Sequence, residues 1–579
     1  DSFAITNSLV PVSGLSLLGV ALSFLLFFRR QIAAVVLGLT GMVIGVLLTF
    51  GFTFVAVGQL NMITCILGGI LMGQGIDFAI HFTYRLAEEI ERGRTLEQAV
   101  GITVEQKGVA SLVSAAGTGA AFFSLLFSEF RGFSQFGLLA GVGVFFIGVS
   151  IYLWVPAAIL LWERRRPGTA KRMLAGLVKS PAAGSALIDR VPRPRLLLAV
   201  ASLLAVAIAL FAPRVRFEYN TRALMVENQP SVLLQDEMNR RFQISADPVA
   251  VYTPTLGEAR KVYDLLTPLD PARFSTVDQV ASIYTFVPPR ARQERNAAIL
   301  ADWRAELSSF DRAMLPPAYD AKWDEAQTFL SAAPYELGGV PEVYRKMFAH
   351  LPQTRPAYHG TLTYIYPQVD LWDGRQMLRF ADQVETLRTA DGATYHAAGS
   401  PILFAKLARI VLWDGKLTLA LTAVMLLAIL LFDLRSVRGT LVALVPLVLG
   451  MTVMMGAMAL LGVDLNFMNI VVLPIVLGYG ISHGVYFIHC FNEGTSPRQA
   501  LRSVGGAVAC STLTTLAGWA ALLAAGHRGL KSMGTLACIG FIATLLVSFT
   551  IMPALLQILH DRRTAKAAAH APGAVARTA

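Results

Sequence analysis

Charge is scarce: only 15% of the 579 residues are Asp, Glu, Lys or Arg, against about a quarter in a soluble globular domain. With 55% hydrophobic residues and a mean hydropathy of +0.56, that shortage excludes disorder, collagen and coiled coil. Cysteine is nearly absent too. Cys65, Cys490, Cys510 and Cys538 all lie in or beside apolar stretches, so no disulfide framework or CxxC zinc spacing is expected, and no metal or other cofactor. The phosphate-cradling string GxxxxGK[ST] does not occur, which leaves an ion gradient rather than a nucleotide as the energy source. No catalytic constellation is expected either.

Apolar runs are abundant. Eleven, near 9–28, 32–56, 60–84, 108–127, 133–161, 195–211, 415–432, 438–461, 465–489, 504–525 and 530–557, have the length of about 20 residues that crosses a bilayer. The net charge of +11 is not a nucleic-acid footprint, because residues 212–409 are nearly balanced and the excess sits in short linkers between the apolar runs. Arg29-Arg30, 85–107, 164–195, Arg435 with Arg438, Arg498 with Arg502, and the tail are basic. The alternate linkers keep only Arg131, Lys416, Arg528 and Lys531. Because basic loops stay cytoplasmic, residues 212–409 are expected outside the cytoplasm. A membrane-impermeant maleimide applied to intact cells should therefore fail to label Arg165→Cys. Labelling there would reverse the topology.

The chain also repeats itself. A shift of 405 places Leu60-Asn61 on Leu465-Asn466, Gly73 on Gly478, Gly75-Ile76 on Gly480-Ile481 and Phe82 on Phe487; a shift of 397 places Arg131-Gly132 on Arg528-Gly529 and Pro156 on Pro553. Two related helix sets follow. The expected plan is membrane helices two to six in 1–167, a cytoplasmic linker at 168–194, helix seven at 195–211, an extracytoplasmic α/β domain at 212–409, helices eight to twelve in 410–560 and a disordered tail at 561–579. One helix and one outer domain are expected upstream of Asp1, which is not an initiating Met.

In the outer domain Val249–Tyr252 and Thr361–Tyr366 read as strands, with Leu256–Leu266 and Arg375–Leu387 as helices beside them. Ile299, Trp303, Leu307, Phe310 and Met314 recur at helical spacing until Pro316-Pro317, and Tyr319, Trp323, Ala326 and Leu330 start a second amphipathic helix. Core packing is the expected use of both stripes, within a helical insertion in a split β-α-β domain.

Asp77 stands in Gly73-Gln74-Gly75-Ile76-Asp77-Phe78-Ala79-Ile80-His81 and is the sole carboxylate well inside these apolar runs. An ionisable group there costs at least about 2.5–3.5 kcal/mol on insertion scales. Such a cost marks an ion pathway; the alternative is structural glue, a hydrogen bond to a neighbouring hydroxyl. His81 lies one turn on, and burial favours the neutral acid, so a proton relay is the natural use. Gly73 and Gly75, and their repeat partners Gly478 and Gly480, allow close helix approach. Gly75 is expected near Gly480, with the two repeat-related helices side by side. Glu88, Glu89 and Glu91 with Arg85, Arg92 and Arg94 read as a solvated, ion-paired face. His489 and Cys490 lack convergent ligands for a metal.

The G-x-G-I-D-x-x-I-H string, the doubled helix set and the large segment after the first helix of the second half resemble the resistance-nodulation-division (RND) superfamily, in particular its MMPL-like branch. Met225-Val226-Glu227-Asn228 through Arg241-Phe242, Tyr284-Thr285-Phe286-Val287-Pro288-Pro289 read as a strand, and Ala398-Gly399-Ser400-Pro401 resemble the hopanoid-biosynthesis-associated RND transporters of Gram-negative bacteria. The resemblance implies a polytopic α-helical inner-membrane protein with two repeated helix bundles and a porter-like periplasmic α/β domain. Its role would be proton-driven export of hopanoid or other lipids towards the outer membrane, by a homodimer, without nucleic acid or nucleotide.

The resemblance implies a matching polar or acidic group opposite Asp77. At that position stands Ser482, followed by His483, so a paired-carboxylate relay is in doubt and His483 becomes the candidate partner. The bland reading of His483 is a buried ring bonded to a carbonyl. Tyr486 aligns with His81. Thr118, and Ser511, Thr514 and Thr515 on the repeat-related helix, are candidate hydroxyl steps, although such groups commonly bond only their own backbone. Phe242, Phe286 and Phe310 are candidate substrate contacts. Other readings are a non-transporting lipid sensor, a multidrug pump and an auxiliary of protein export.

Overall fold

The computed structural model describes residues 2–28, 31–61, 63–174, 194–220, 222, 230–242, 247–310, 316, 319–350, 359–492 and 497–569. Two compact units emerge, Asp1–Glu227 with Arg409–Ala579, and Asn228–Ala408. The chain forms α1 (Ser2–Phe27), α2 (Ile32–Ala56), α3 (Leu67–Glu91), α4 (Leu96–Ser124), α5 (Arg131–Arg165), α6 (Thr169–Leu174) and α7 (Pro194–Ala209). It continues through α8 (Pro230–Phe242), α9 (Leu256–Leu266), α10 (Arg290–Ser308), α11 (Asp320–Leu330), α12 (Glu342–Met347) and α13 (Gly374–Val384). The last helices are α14 (Ser400–Leu434), α15 (Val437–Leu461), α16 (Val472–Asn492), α17 (Pro497–Ala520) and α18 (Arg528–Ala569). Among the described residues nine helical spans are long and apolar enough to cross a membrane, and Pro11–Phe27 and Ser111–Phe127 are shorter apolar helices. The protein is a multi-pass membrane protein.

In the helical unit the repeat is structural. Asn61 Oδ1 accepts from the amides of Ile63 and Thr64, both at 2.9 Å, and its repeat partner Asn466 accepts from Met468 at 3.0 Å and Asn469 at 2.8 Å. Each Asn also donates to the equivalent helix of its own half, Asn61 to Gln135 and Asn466 to Ser532, both at 2.7 Å. These asparagine turns start the central helices α3 and α16 at matching points, because a side-chain acceptor satisfies amides that helix geometry leaves unpaired. Both helices are buried along nearly their whole length.

In the other unit the sheet order is β2 (Val277–Ala281), β4 (Gly360–Pro367), β1 (Val249–Thr253), β6 (Thr394–Ala398) and β5 (Thr386–Arg388), with β3 (Ala349–His350) also on β4. The pairings are antiparallel, with Val249 opposite Ile365 and Ala250 opposite Ala398. Alternate residues Val249, Val251, Ile365 and Ala397 pack with Val262 and Leu266 of α9 and with Met377, Phe380 and Val384 of α13, the period-two pattern of a sheet covered on one face. A capping box between Thr255 and Glu258 starts α9, and the Asp373 carboxylate accepts the Arg375 amide to start α13.

Several expectations change. The Arg375–Leu387 helix ends at Val384, and Leu387 belongs to β5. Tyr284–Pro289 is not a strand: Ile283–Phe286 is a 3-10 turn in which Ser282 and Thr285 cap each other. The amphipathic stripes do not make a core. Ile299, Trp303, Phe310 and Tyr319 are exposed and Leu307, Trp323, Ala326 and Leu330 only half-buried, because the two helices of the insertion mainly face each other. Helix continues past Asp561 to Ala569, where disorder was expected; the linker at 175–193 and the tail at 570–579 lie outside the described residues.

Candidate functional site

Asp77 sits in the middle of α3 and is 5% exposed. One turn on, His81 brings Nε2 to 3.2 Å from Asp77 Oδ1. Neither atom completes a hydrogen bond, so the pair is close in distance but misaligned in angle. The His81 ring lies flat on Tyr486 of α16, with centroids 3.9 Å apart and planes 22° from parallel. Asp77 and Tyr486 therefore meet through His81 across the two repeats, and the alignment of His81 with Tyr486 becomes a physical stack.

Other buried polar atoms of the helical unit also lack partners among the described residues. The Gln74 amide oxygen and nitrogen, the Tyr486 hydroxyl and the Trp519 indole N–H are all buried without hydrogen-bond partners. Leaving a buried polar group unpaired costs about 1–3 kcal/mol. Gln74 precedes Asp77 by three residues on the same face of α3, a spacing that identifies it in hindsight.

His483 does not bond Asp77. Its Nδ1 lies 3.0 Å from Ser548 Oγ and its Nε2 3.1 Å from Thr512 Oγ1. Ser548 and Thr512 also reach the carbonyls of Thr544 at 2.7 Å and Val508 at 2.8 Å. A neutral imidazole has one N–H, so at least one of these hydroxyls must turn from its carbonyl to the ring. Tyr479 extends the chain, with its hydroxyl 3.0 Å from Ser511 Oγ and 3.3 Å from Thr512 Oγ1. Ser482, at the Asp77-equivalent position, shares a 2.7 Å hydrogen bond with Ser114 of α4. Thr118 is buried. Thr514 bonds only carbonyls of its own helix, Cys510 and Ser511, whereas Thr515 donates across the helix interface to the Gly73 carbonyl at 3.0 Å.

The glycines pack in a pattern different from the one expected. Gly75 does not face Gly480. A Cβ at Gly75 would lie 2.7 Å from the Ile147 side chain of α5, and one at Gly480 would meet Leu447 at 2.8 Å and Thr544 of α18 at 3.5 Å. Ile147 and Thr544 are themselves repeat partners. Gly73 meets Gly518 of α17, and Gly478 meets Ala121 and the Gly117 carbonyl of α4, again a symmetric pair. The close seams thus join α3 to α17 and α16 to α4, each central helix crossing to the other repeat, while α3 and α16 touch through His81 and Tyr486.

Asp77 is not the sole deep carboxylate. Asp414, 1% exposed, is inside α14, which begins fifteen residues before the expected span. It accepts from Ser128 Oγ at 2.5 Å and the Phe130 amide at 3.2 Å. Satisfied in this way it is glue, in contrast to Asp77. Glu89 is likewise not on a solvated face: it is buried, with Arg85 and Arg92 each 2.8 Å from its Oε1. His489 pairs with Asp433 at 2.8 Å.

The aromatic substrate candidates do not come together. Phe286 packs with Tyr344 and Phe348 in a small core, and the side chain of Phe242 lies outside the described residues. Phe310 instead lines a cleft of about 720 Å³ with Trp303, Leu307, Phe329 and Leu330 between α10 and α11.

The MMPL family profile matches residues 1–195 and 373–573, the greater part of both helix sets. The chain belongs to the MMPL family. This MMPL protein is 26% identical over 584 residues to the hopanoid transporter HpnN of Burkholderia multivorans, covering 91% of this chain and 64% of that protein. It is 25% identical to the hopanoid transporter HpnN of Rhodopseudomonas palustris, covering 96% and 68%. The chain thus spans about two-thirds of the length of these relatives. Among solved structures it is similar to SecDF in its super-membrane-facing form, with TM-score 0.54, 14% identity and coverage of 98% of this chain and 64% of that one. A heavy metal efflux pump matches with TM-score 0.55, 13% identity and coverage of 96% and 68%. At these identities the likeness is one of fold: two repeated helix bundles of RND type with an α/β unit.

Proposed function

We propose that the chain is the main part of an RND-type exporter that uses the proton motive force to move hydrophobic lipids, hopanoids in particular, from the inner membrane towards the outer membrane. The observation that carries this reading is the unpaired Asp77–His81 couple stacked on Tyr486 at the meeting of two symmetric helix sets. A proton arriving at Asp77 removes a buried charge, and a small rotation of His81 then makes or breaks its bond to the carboxylate. Either event changes which packing of the two sets is preferred, and the small-residue seams let each set slide against the other. A membrane potential of 100 mV supplies roughly 2.3 kcal/mol per proton.

In this reading His483, Ser482, Thr118, Thr514 and Thr515 flank the route, with the Tyr479–Thr512–His483–Ser548 chain as a hydroxyl and imidazole path. Residues 212–409 form the periplasmic domain of a homodimer, and the Phe310 cleft offers an apolar surface for lipid. The names of the Burkholderia and Rhodopseudomonas relatives support the choice of hopanoid. The test is reconstitution of the protein in vesicles carrying labelled hopanoid. An imposed pH gradient should accelerate lipid transfer to acceptor vesicles, and a protonophore should abolish the acceleration. Equal transfer with and without the gradient would remove the proton drive, and no transfer under either condition would remove the transport reading.

A further inference from the structure

A second pocket, of about 400 Å³, opens beside the ends of α14 and α16, the start of α15 and the Leu556–Arg562 stretch of α18. Its rim is polar and its wall is not. Arg438, Arg562, Ser436 and Asn492 supply the polar part of the lining, and Leu434, Val442, Phe491 and Leu556 the apolar part. We infer that this pocket is a binding site for an anionic phospholipid, the phosphate held by Arg438 and Arg562 and an acyl chain laid along the Val442–Leu556 wall.

Local geometry sets the arginines in place. Only Arg435 and Ser436 separate α14 from α15, and Arg435 takes a left-handed φ of 44° to make so short a turn. Ser436 caps α15 by accepting the Gly439 amide at 3.2 Å, so the first turn of a 25-residue helix faces the rim. The acidic residues nearest in sequence are engaged elsewhere, Asp433 with His489 and Asp561 with Gln557. Two guanidiniums and a helix start therefore present positive charge, with no carboxylate among the described lining residues.

The occupant follows from the two parts of the lining. A free phosphate has no use for an apolar wall, and a fatty chain alone has no use for two arginines. Val437 and Leu441 are exposed beside the rim and continue the apolar surface outward, as expected where a helix meets lipid. The basic linkers place this end of the bundle in the cytoplasmic leaflet, the one whose anionic lipids attract such groups.

Delipidated protein mixed with equal phosphatidylglycerol and phosphatidylcholine in micelles, read by native mass spectrometry, tests the inference. Micelles have no sides and no gradient, so the result is independent of the transport reading. The protein should retain phosphatidylglycerol over phosphatidylcholine, and Arg438→Gln and Arg562→Gln should each lower the bound ratio about fivefold. Val442→Trp, which fills the wall and keeps the charge, should lower it too. Arg438→Lys with Arg562→Lys should keep most of the preference, which separates loss of charge from loss of fold. Arg164→Gln with Arg165→Gln, basic but outside the pocket, should leave the ratio unchanged. An unchanged ratio in the double Arg438→Gln/Arg562→Gln protein would overturn the inference, as would an equal fall in the Arg164/Arg165 variant or displacement of the lipid by millimolar inorganic phosphate.

Discussion

Asp77→Asn should yield a protein that folds and reaches the membrane but moves lipid no faster with a pH gradient than without one. Asparagine keeps the volume and the hydrogen-bonding capacity of aspartate and removes its titration. Because the Asp77 oxygen nearest His81 makes no hydrogen bond, the substitution breaks none there, and an amide of the same volume opens no cavity. Melting temperature and membrane yield should therefore stay close to those of the unmodified protein while gradient-driven transfer disappears. His81→Phe keeps a ring on Tyr486 and removes the titratable partner, and should lose the gradient response as well. Ser482→Ala forfeits one shared hydroxyl bond to Ser114, worth about 1 kcal/mol, and should be mild. His483→Ala separates two routes: loss of the response would place the imidazole chain on the proton path, and a normal response would confine the path to α3 and Tyr486. Full gradient-driven transfer by the Asp77→Asn protein would show that this acid is structural.

The second large effect is steric. Gly484→Ala should cost about 1–3 kcal/mol through overpacking and sharply reduce the yield of assembled protein in detergent. A Cβ there would lie 2.1 Å from the carbonyl oxygen of Ala443, and backbone cannot turn aside as a side chain can, so α15 and α16 must part. Gly75→Ala meets only the Ile147 side chain and should be milder, whereas Gly75→Leu should damage transport. Gly51, with nothing within 4 Å of its added Cβ, is the control: Gly51→Ala should be neutral or gain up to about 1 kcal/mol of helix propensity. Thermal melts of the three alanine variants decide the order. Equal melting for Gly484→Ala and Gly51→Ala would mean that α15 and α16 are not held at this distance.

Sequence repetition exposed more of this architecture than hydropathy did. The shift of 405 paired Asn61 with Asn466 and Gly73 with Gly478, and these pairs carry matching hydrogen bonds and matching close approaches. Hydropathy failed at edges. Cutting the span at 415 left out Asp414, although α14 begins at Ser400. The amphipathic stripe through Trp303 and Phe310 was misleading for another reason: period alone shows that a helix has an apolar face, and says nothing about whether anything covers it.

The amino-acid sequence by itself determined the membrane class, the doubled helix set and the burial of Asp77, because each is written locally, in about 20 contiguous apolar residues or in one ionisable group among them. Tertiary structure alone decided what those residues meet. Gly75 faces Ile147 instead of Gly480, and His81 and not His483 sits beside Asp77. Such pairings depend on which helix crosses to the other repeat and on its rotation about its own axis, and a rotation of one residue, about 100°, moves a side chain from seam to lipid without altering hydropathy at all.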